Sequence, residues 1–274
     1  MQKAESQKAI SNGSPVLIKD RQNYIRYSKN RVFFLKWFGL IFGIPYSCIV
    51  VFIFRFILNY KIPEMKKIRQ EFQKIIQNKD PLIICANHLT FIDSGIIIWA
   101  LASNWWYLFN YNYYSWNLPA GDFFGKKFRY RMIAHLIKGI FIYRDGSKEH
   151  HDEILNLSKN LVKNGEVLTI FPEGKRSRSG FFDPQKMSYG VGKIIQGVPN
   201  CRVLCMYVRS DKQTIFSNYP ARNSIFSISM NLISPTTKFM GREGCAEIVE
   251  QIAHEIKNQE NDYLNQHKIH KEII

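Results

Sequence analysis

A histidine and an acid, five positions apart, close an apolar run: Ile83-Ile84-Cys85-Ala86-Asn87-His88-Leu89-Thr90-Phe91-Ile92-Asp93. A histidine can take a proton from a hydroxyl when its other ring nitrogen is held, and a carboxylate holds that nitrogen by accepting its N–H. Asp93 is the candidate holder for His88. Inside one helix, five residues advance the chain by about 500° and leave the two on different faces. A turn at Leu89-Thr90, with Asp93 on the helix that follows, is needed to bring them together. The plainer alternative is an exposed His88 and an acid favoured at Asp93 by the dipole of a helix N-terminus.

The surrounding pattern supplies the elements that must position this pair. Pro81 blocks a helix before the run, and residues 82–86 are apolar without alternation, as in a strand covered on both faces. His88 then stands at the carboxyl end of that strand, where open α/β sheets bind their ligands. Further strands are expected at 139–143, 167–171, 203–208 and 224–233, and helices at 63–78, 93–102, 147–164, 187–196 and 242–264. The helix at 147–164, with Ile154, Leu157 and Leu161 on its inner face and Gly165 as its stop, joins two strands in a right-handed parallel crossover. The fold class expected is α/β, a mostly parallel sheet flanked by helices. Arg144 and Glu173 also fall just beyond strand ends, so one sheet edge would collect both with His88.

Two more segments carry candidate chemistry: Gly139-Ile140-Phe141-Ile142-Tyr143-Arg144 and Phe171-Pro172-Glu173-Gly174-Lys175-Arg176-Ser177. Lys175, Arg176 and Arg178 offer cationic donors around Gly174, whose missing side chain lets a ligand approach the backbone. A solvated basic loop is the plainer reading of the same residues. Glu173 would repel a phosphate unless it is paired, and Arg144 is the partner expected.

With Asn87-His88-x4-Asp93, these segments resemble the first three motif blocks of the glycerolipid acyltransferases, the group that includes lysophosphatidic acid acyltransferase. The resemblance covers roughly residues 60–235, and its first and third blocks together are specific. It implies a catalytic His88 and Asp93, with Asn87, Arg144, Glu173, Gly174, Lys175 and Arg176 binding substrate. It also implies transfer of a fatty acyl group from acyl-CoA or acyl-carrier protein to the hydroxyl of a lysophospholipid. The first acceptor expected is 1-acylglycerol-3-phosphate; the alternatives are glycerol-3-phosphate, another lysolipid or a lipid amine. Such chemistry needs a base, its holder and oxyanion donors, but no enzyme nucleophile, metal or cofactor. The chain has no Gly-x-Ser-x-Gly elbow, and Cys85 is expected to be buried on its strand. One departure concerns the family's fourth block, where a proline usually enters an apolar strand: Cys205 or Met206 stands there, which bears on donor and acceptor preference.

Length and charge set the frame. The 274 residues suffice for one sizeable domain, and lysine plus arginine exceed the acids by 16. That balance asks for an anionic partner, and the apolar and aromatic richness suits an anionic membrane rather than nucleic acid. Five cysteines, odd in number and without paired metal-type spacing beyond Cys201-x3-Cys205, which has no histidine close in sequence, read as buried free thiols of a reducing compartment. Residues 1–31 form a basic arm, 32–60 a hydrophobic membrane-associating segment, 61–265 the acyltransferase domain and 266–274 a tail. Between Phe33 and Leu58 only Lys36 and Arg55 are charged, which is long enough to span a bilayer. Both flanks are basic, and Gly43, Pro45 and Ser47 lie near the middle. An interfacial or re-entrant helical hairpin is therefore expected beside the simpler spanning or core helix, with the catalytic domain on the cytoplasmic face. The aromatic run 99–116 could form a membrane belt, a core floor or an acyl slot. A non-catalytic protein that binds anionic membranes is the alternative from another class.

Overall fold

The computed structural model describes residues 26–267. All but the last six residues of the expected basic arm, and all but the first two of the tail, lie outside the described residues.

The strands are β1 (Leu82–Ala86), β2 (Trp116–Asn117), β3 (Leu168–Ile170), β4 (Arg202–Ser210) and β5 (Phe226–Ile233), in the spatial order β2-β3-β1-β4-β5. Only β5 runs antiparallel to its neighbour. The central strand is β1, whose Cys85 pairs with Ile170 on one side and Cys205 on the other. Its side chains alternate between two cores. Ile83 and Cys85 pack with Leu168, Val203 and Cys205, whereas Leu82, Ile84 and Ala86 pack with Leu204, Met206 and Val208. Burial on both faces explains the unbroken apolar run. Each isoleucine so buried contributes about 1.5–3 kcal/mol.

Among the described residues, ten α-helical segments dress the sheet: α1 (Lys29–Phe38), α2 (Ile44–Phe52), α3 (Met65–Ile76), α4 (Asp93–Leu101), α5 (Asn104–Phe109), α6 (Gly121–Phe124), α7 (Phe128–Leu136), α8 (Lys148–Lys163), α9 (Gly190–Gln196) and α10 (Gly241–Gln266). The stripe Ile68, Phe72 and Ile76 of α3, with Ile96 and Ile97 of α4, covers one face. Ile154 and Leu161 of α8, with α9 and α10, cover the other. The hydroxyl of Ser147 caps α8 by accepting the His150 N–H, and Gly165 follows its end at φ +78.

Two expectations are corrected. Residues 139–143 form only isolated parallel bridges, Asn117 with Gly139 and Ala120 with Ile142, outside β2. The sheet's next strand is instead the two-residue β2, which sits between that segment and β3. The N-terminal apolar segment is one continuous helix, Lys29–Ile57, and not a hairpin. Pro45 has no N–H and its ring crowds the carbonyl four residues back. A wider turn at Gly39–Gly43, where the Ile44 N–H reaches five residues back to the Gly39 carbonyl, precedes the proline and makes room for it.

This helix of 29 residues is long and apolar enough to cross a membrane. One side of it is docked on the domain. An added Cβ at Gly39 would stand 2.3 Å from the Tyr111 hydroxyl, and one at Gly43 only 2.1 Å from the Leu136 carbonyl oxygen. The Ser47 hydroxyl donates to Asn104 Oδ1 at 2.9 Å, completing a stripe of small residues four apart. Its other side exposes Phe33, Phe34, Trp37, Ile41, Phe42, Ile49, Phe52 and Phe56.

The aromatic run divides between two environments. Tyr107, Tyr111, Tyr114 and Trp116 are buried, while Trp105 and Phe109 are exposed. Beside them lies a cavity of about 490 Å³ bounded by Leu82, Phe109, Tyr111 and Val167. Leu82 opens β1 and His88 follows its far end, roughly 20 Å along an extended chain. That cavity does not belong to the histidine's surroundings.

Candidate active site

The site begins where β1 leaves the sheet. The Asn87 side chain bonds β4 as a backbone would: Nδ2 donates to the Val208 carbonyl at 3.0 Å and Oδ1 accepts the Val208 N–H at 2.8 Å. Asn87 is buried and its amide is fully committed there. His88 is the next residue, and its side chain is 21 % exposed.

Residues 89–92 make the required turn, and α4 starts at Asp93 itself. The Asp93 Oδ2 lies 2.9 Å from His88 Nδ1. The same oxygen accepts the N–H groups of Leu89 at 2.6 Å and Thr90 at 2.8 Å, and the Thr90 hydroxyl donates to Oδ1. The acid therefore fixes both the histidine ring and the turn that carries it. An ionised Asp93 can only accept, so Nδ1 carries the ring proton and Nε2 keeps its lone pair. Phe171 stacks against the imidazole with ring centroids 4.2 Å apart.

The third motif segment packs around the same histidine. The buried Glu173 accepts the His88 N–H at 3.0 Å, and the Ser177 N–H donates to the His88 carbonyl at 2.8 Å. Burial pushes the Glu173 carboxyl up to about 8, against the lowering influence of bonds from the His88 and Asp183 backbones. The expected pair between Glu173 and Arg144 is not formed. The Arg144 guanidinium donates to the Gly174 carbonyl at 2.6 Å, while the Arg144 backbone N–H donates to Asp122 Oδ2 at 3.2 Å. Glu173 turns inward to backbone donors and Arg144 stays outside, so the carboxyl is satisfied without the arginine.

Gly174 is exposed at φ +67, and an added Cβ would meet nothing within 4 Å. The backbone sign, more than crowding, requires glycine here. Lys175 and Arg178 are exposed. Arg176 lies 3.7 Å over the centre of the Phe91 ring and 4.6 Å from that of Phe216, and donates to Asn218 Oδ1 at 2.8 Å. Partial burial and the neighbouring Arg178 both lower its pKa. Arg178 in turn lies 4.2 Å over Phe216.

One sheet edge thus brings together His88, Asp93, Arg144, Gly174, Lys175 and Arg176, whereas Asn87 and Glu173 face into the protein. Sequence reasoning missed Phe171 and Ser177 as supports of His88, although both stand in motif segments. It also missed Thr90, Phe91, Phe216 and Asn218. Phe216 and Asn218 lie in a loop without a local signal. Cys85, three residues before the histidine, is fully buried and burial raises its thiol pKa further, so it offers no thiolate.

A held histidine with a free Nε2, beside a rim of cations, can deprotonate a hydroxyl on an anionic substrate. A family model described as Acyltransferase matches residues 67–231, which contain every residue of the site. No curated protein matches the chain. Because the family match spans more than half of the sequence and takes in the histidine–aspartate pair, the chain belongs to the Acyltransferase family, that of the glycerolipid acyltransferases.

Proposed function

We propose that this lipid acyltransferase moves a fatty acyl group from acyl-CoA or acyl-carrier protein to the hydroxyl of a lysophospholipid, with 1-acylglycerol-3-phosphate as the preferred acceptor. The carrying observation is the His88–Asp93 pair at 2.9 Å on an edge rimmed by Arg144, Lys175, Arg176 and Arg178. His88 Nε2 takes the acceptor's hydroxyl proton as its oxygen attacks the thioester carbonyl. The tetrahedral intermediate collapses by breaking the C–S bond, and the imidazolium returns its proton to the thiolate that leaves. Asp93 holds the imidazolium throughout. The cations favour an acceptor with a terminal phosphate monoester, whose larger negative charge separates lysophosphatidic acid from zwitterionic lysolipids, with their singly charged phosphodiester, and from lipid amines.

The long helix supports membrane association. Contacts at Lys36, Gly39, Gly43, Ser47 and Phe54 hold it to the domain along its length. A helix so held offers its aromatic outer face to one leaflet, with the basic flanks toward a cytoplasmic, anionic surface.

The test is acyl transfer by membranes containing the protein, with lysophosphatidic acid, glycerol-3-phosphate, other lysolipids and a lipid amine as acceptors, acyl-CoA and acyl-carrier protein as donors, and His88→Ala in parallel. Acceptor-dependent product that vanishes in the variant is expected. A folded, membrane-bound protein that forms no product with any pair would overturn the reading and leave a non-catalytic binder of anionic membranes.

A further inference from the structure

We infer that Glu173 is a positioning residue for His88 and not a ligand of the acceptor: together with the Ser177 N–H it clamps the histidine's own peptide groups. The inference rests on the proposed acyl transfer for its kinetic part, but its structural part does not.

The histidine is fixed at four places. Asp93 holds Nδ1, Phe171 supports the ring, the Ser177 N–H holds the carbonyl, and Glu173 Oε1 holds the N–H. The last two partners lie in one short segment, so residues 173–177 close on the His88 backbone from both sides. Without Glu173, the His88 N–H would lose its acceptor at the point where β1 ends and no strand partner remains. A partly buried N–H that loses its acceptor is costly, and the turn would move to find one. Displacing Nε2 by about 1 Å costs on the order of 100-fold in rate.

The surroundings of the carboxyl point the same way. Glu173 is 6 % exposed, whereas Gly174, Lys175 and Arg178 next to it face solvent. The carboxylates of Glu260 and Asp183 both repel a charge on it, although the Asp183 backbone donates to it. An acceptor phosphate would gain nothing from it. A carboxyl that stays neutral near pH 7 can still accept the His88 N–H, which is all that positioning requires.

Glu173→Gln keeps an oxygen that accepts, and Glu173→Ala removes it. In the full-length, membrane-reconstituted protein, Gln is expected to keep kcat within about fivefold of wild type and the acceptor KM within about twofold, while Ala lowers kcat by roughly 100-fold at unchanged KM. Amide hydrogen exchange resolved at residue 88 needs no substrate: Ala should accelerate it at least tenfold and Gln should leave it as in wild type. A tenfold rise in acceptor KM with Gln, or unchanged exchange at residue 88 in Ala, would overturn the inference. If Ala does not fold, the KM and kcat of Gln decide alone. If wild type transfers no acyl group, the exchange rates still decide, and only the proposed reaction has failed.

Discussion

Asp93 Oδ2 accepts the ring N–H of His88 at 2.9 Å and the backbone N–H groups of Leu89 and Thr90 at 2.6 and 2.8 Å. One oxygen thereby sets the tautomer, the ring plane and the turn between β1 and α4. Asp93→Asn removes the negative charge and presents an amide whose nitrogen can donate. It is expected to lower kcat by about 10²–10⁴-fold with little change in acceptor KM, because the imidazolium loses its counter-charge and an amide nitrogen facing Nδ1 would favour the wrong ring tautomer. Steady-state kinetics of acyl transfer at several acceptor concentrations measures this. A variant that raised KM at constant kcat would show that Asp93 serves binding instead.

Glu173 makes stability depend on pH in a defined direction. Its carboxyl titrates near 4.5 when unfolded and is pushed by burial to about 8 when folded. Below the lower value both states carry the proton and stability is at its full level. As pH rises toward 8 the unfolded chain releases the proton while the folded chain keeps it, so stability falls, with a limiting slope of about 1.4 kcal/mol per pH unit. Glu173→Gln abolishes that component. Denaturant unfolding at pH 5 and pH 8 should therefore show a smaller loss in the Gln variant than in wild type, and an equal loss in both would refute the assignment.

The sequence made the His88–Asp93 pair and its strand legible because both depend on local pattern: an apolar run buried on both faces, a proline before it, and an acid at a helix start. The small strand Trp116–Asn117 was hidden, since two residues in an aromatic run show no period and their sheet partners lie at Leu168 and Thr169. Gly43, Pro45 and Ser47 suggested a bend. Instead Gly39 and Gly43 serve close approach to Tyr111 and Leu136, and a wide turn accommodates the proline. For Glu173 the reasoning about charge was sound in general but chose the wrong neighbour. Its partner is a backbone N–H 85 residues away, which no local spacing encodes.

A second buried acid ties the long helix to the sheet. Glu166 accepts from Lys138 Nζ at 2.7 Å, from Trp116 Nε1 at 2.8 Å and from Lys36 of α1. Lys138 is wholly buried, and desolvation lowers its pKa to about 8 despite Glu166. Glu166→Gln leaves that ammonium without a counter-charge and is expected to cost about 3–5 kcal/mol at pH 7, whereas Lys36→Met, at the solvent end, should cost less than about 1 kcal/mol. A further drop in the Lys138 pKa would make the Glu166→Gln protein recover stability as pH rises above the new value, since the unfolded lysine still binds its proton. Chemical denaturation at pH 7 and pH 9 checks both the ranking and the sign.

Two glycines of similar appearance should respond oppositely to alanine, and the contrast tests how α1 and α2 sit on the domain. At Gly43 a Cβ would stand 2.1 Å from the Leu136 carbonyl oxygen, a backbone atom at the end of α7 that cannot turn away. The long helix must then lift by more than 1 Å, loosening the neighbouring Ser47–Asn104 bond, and Gly43→Ala is expected to cost about 1–3 kcal/mol. Gly95 lies in the first turn of α4, where a Cβ would meet the Phe54 ring at an ordinary 3.6 Å. Alanine there restricts the unfolded chain without a clash and should stabilise by about 0.5–1 kcal/mol. Thermal denaturation of the two variants in the same detergent reads the difference directly. If Gly43→Ala unfolds at the wild-type temperature while Gly95→Ala behaves as stated, the helix does not rest on Leu136 in solution, and its aromatic outer face would be free to take another orientation in the membrane.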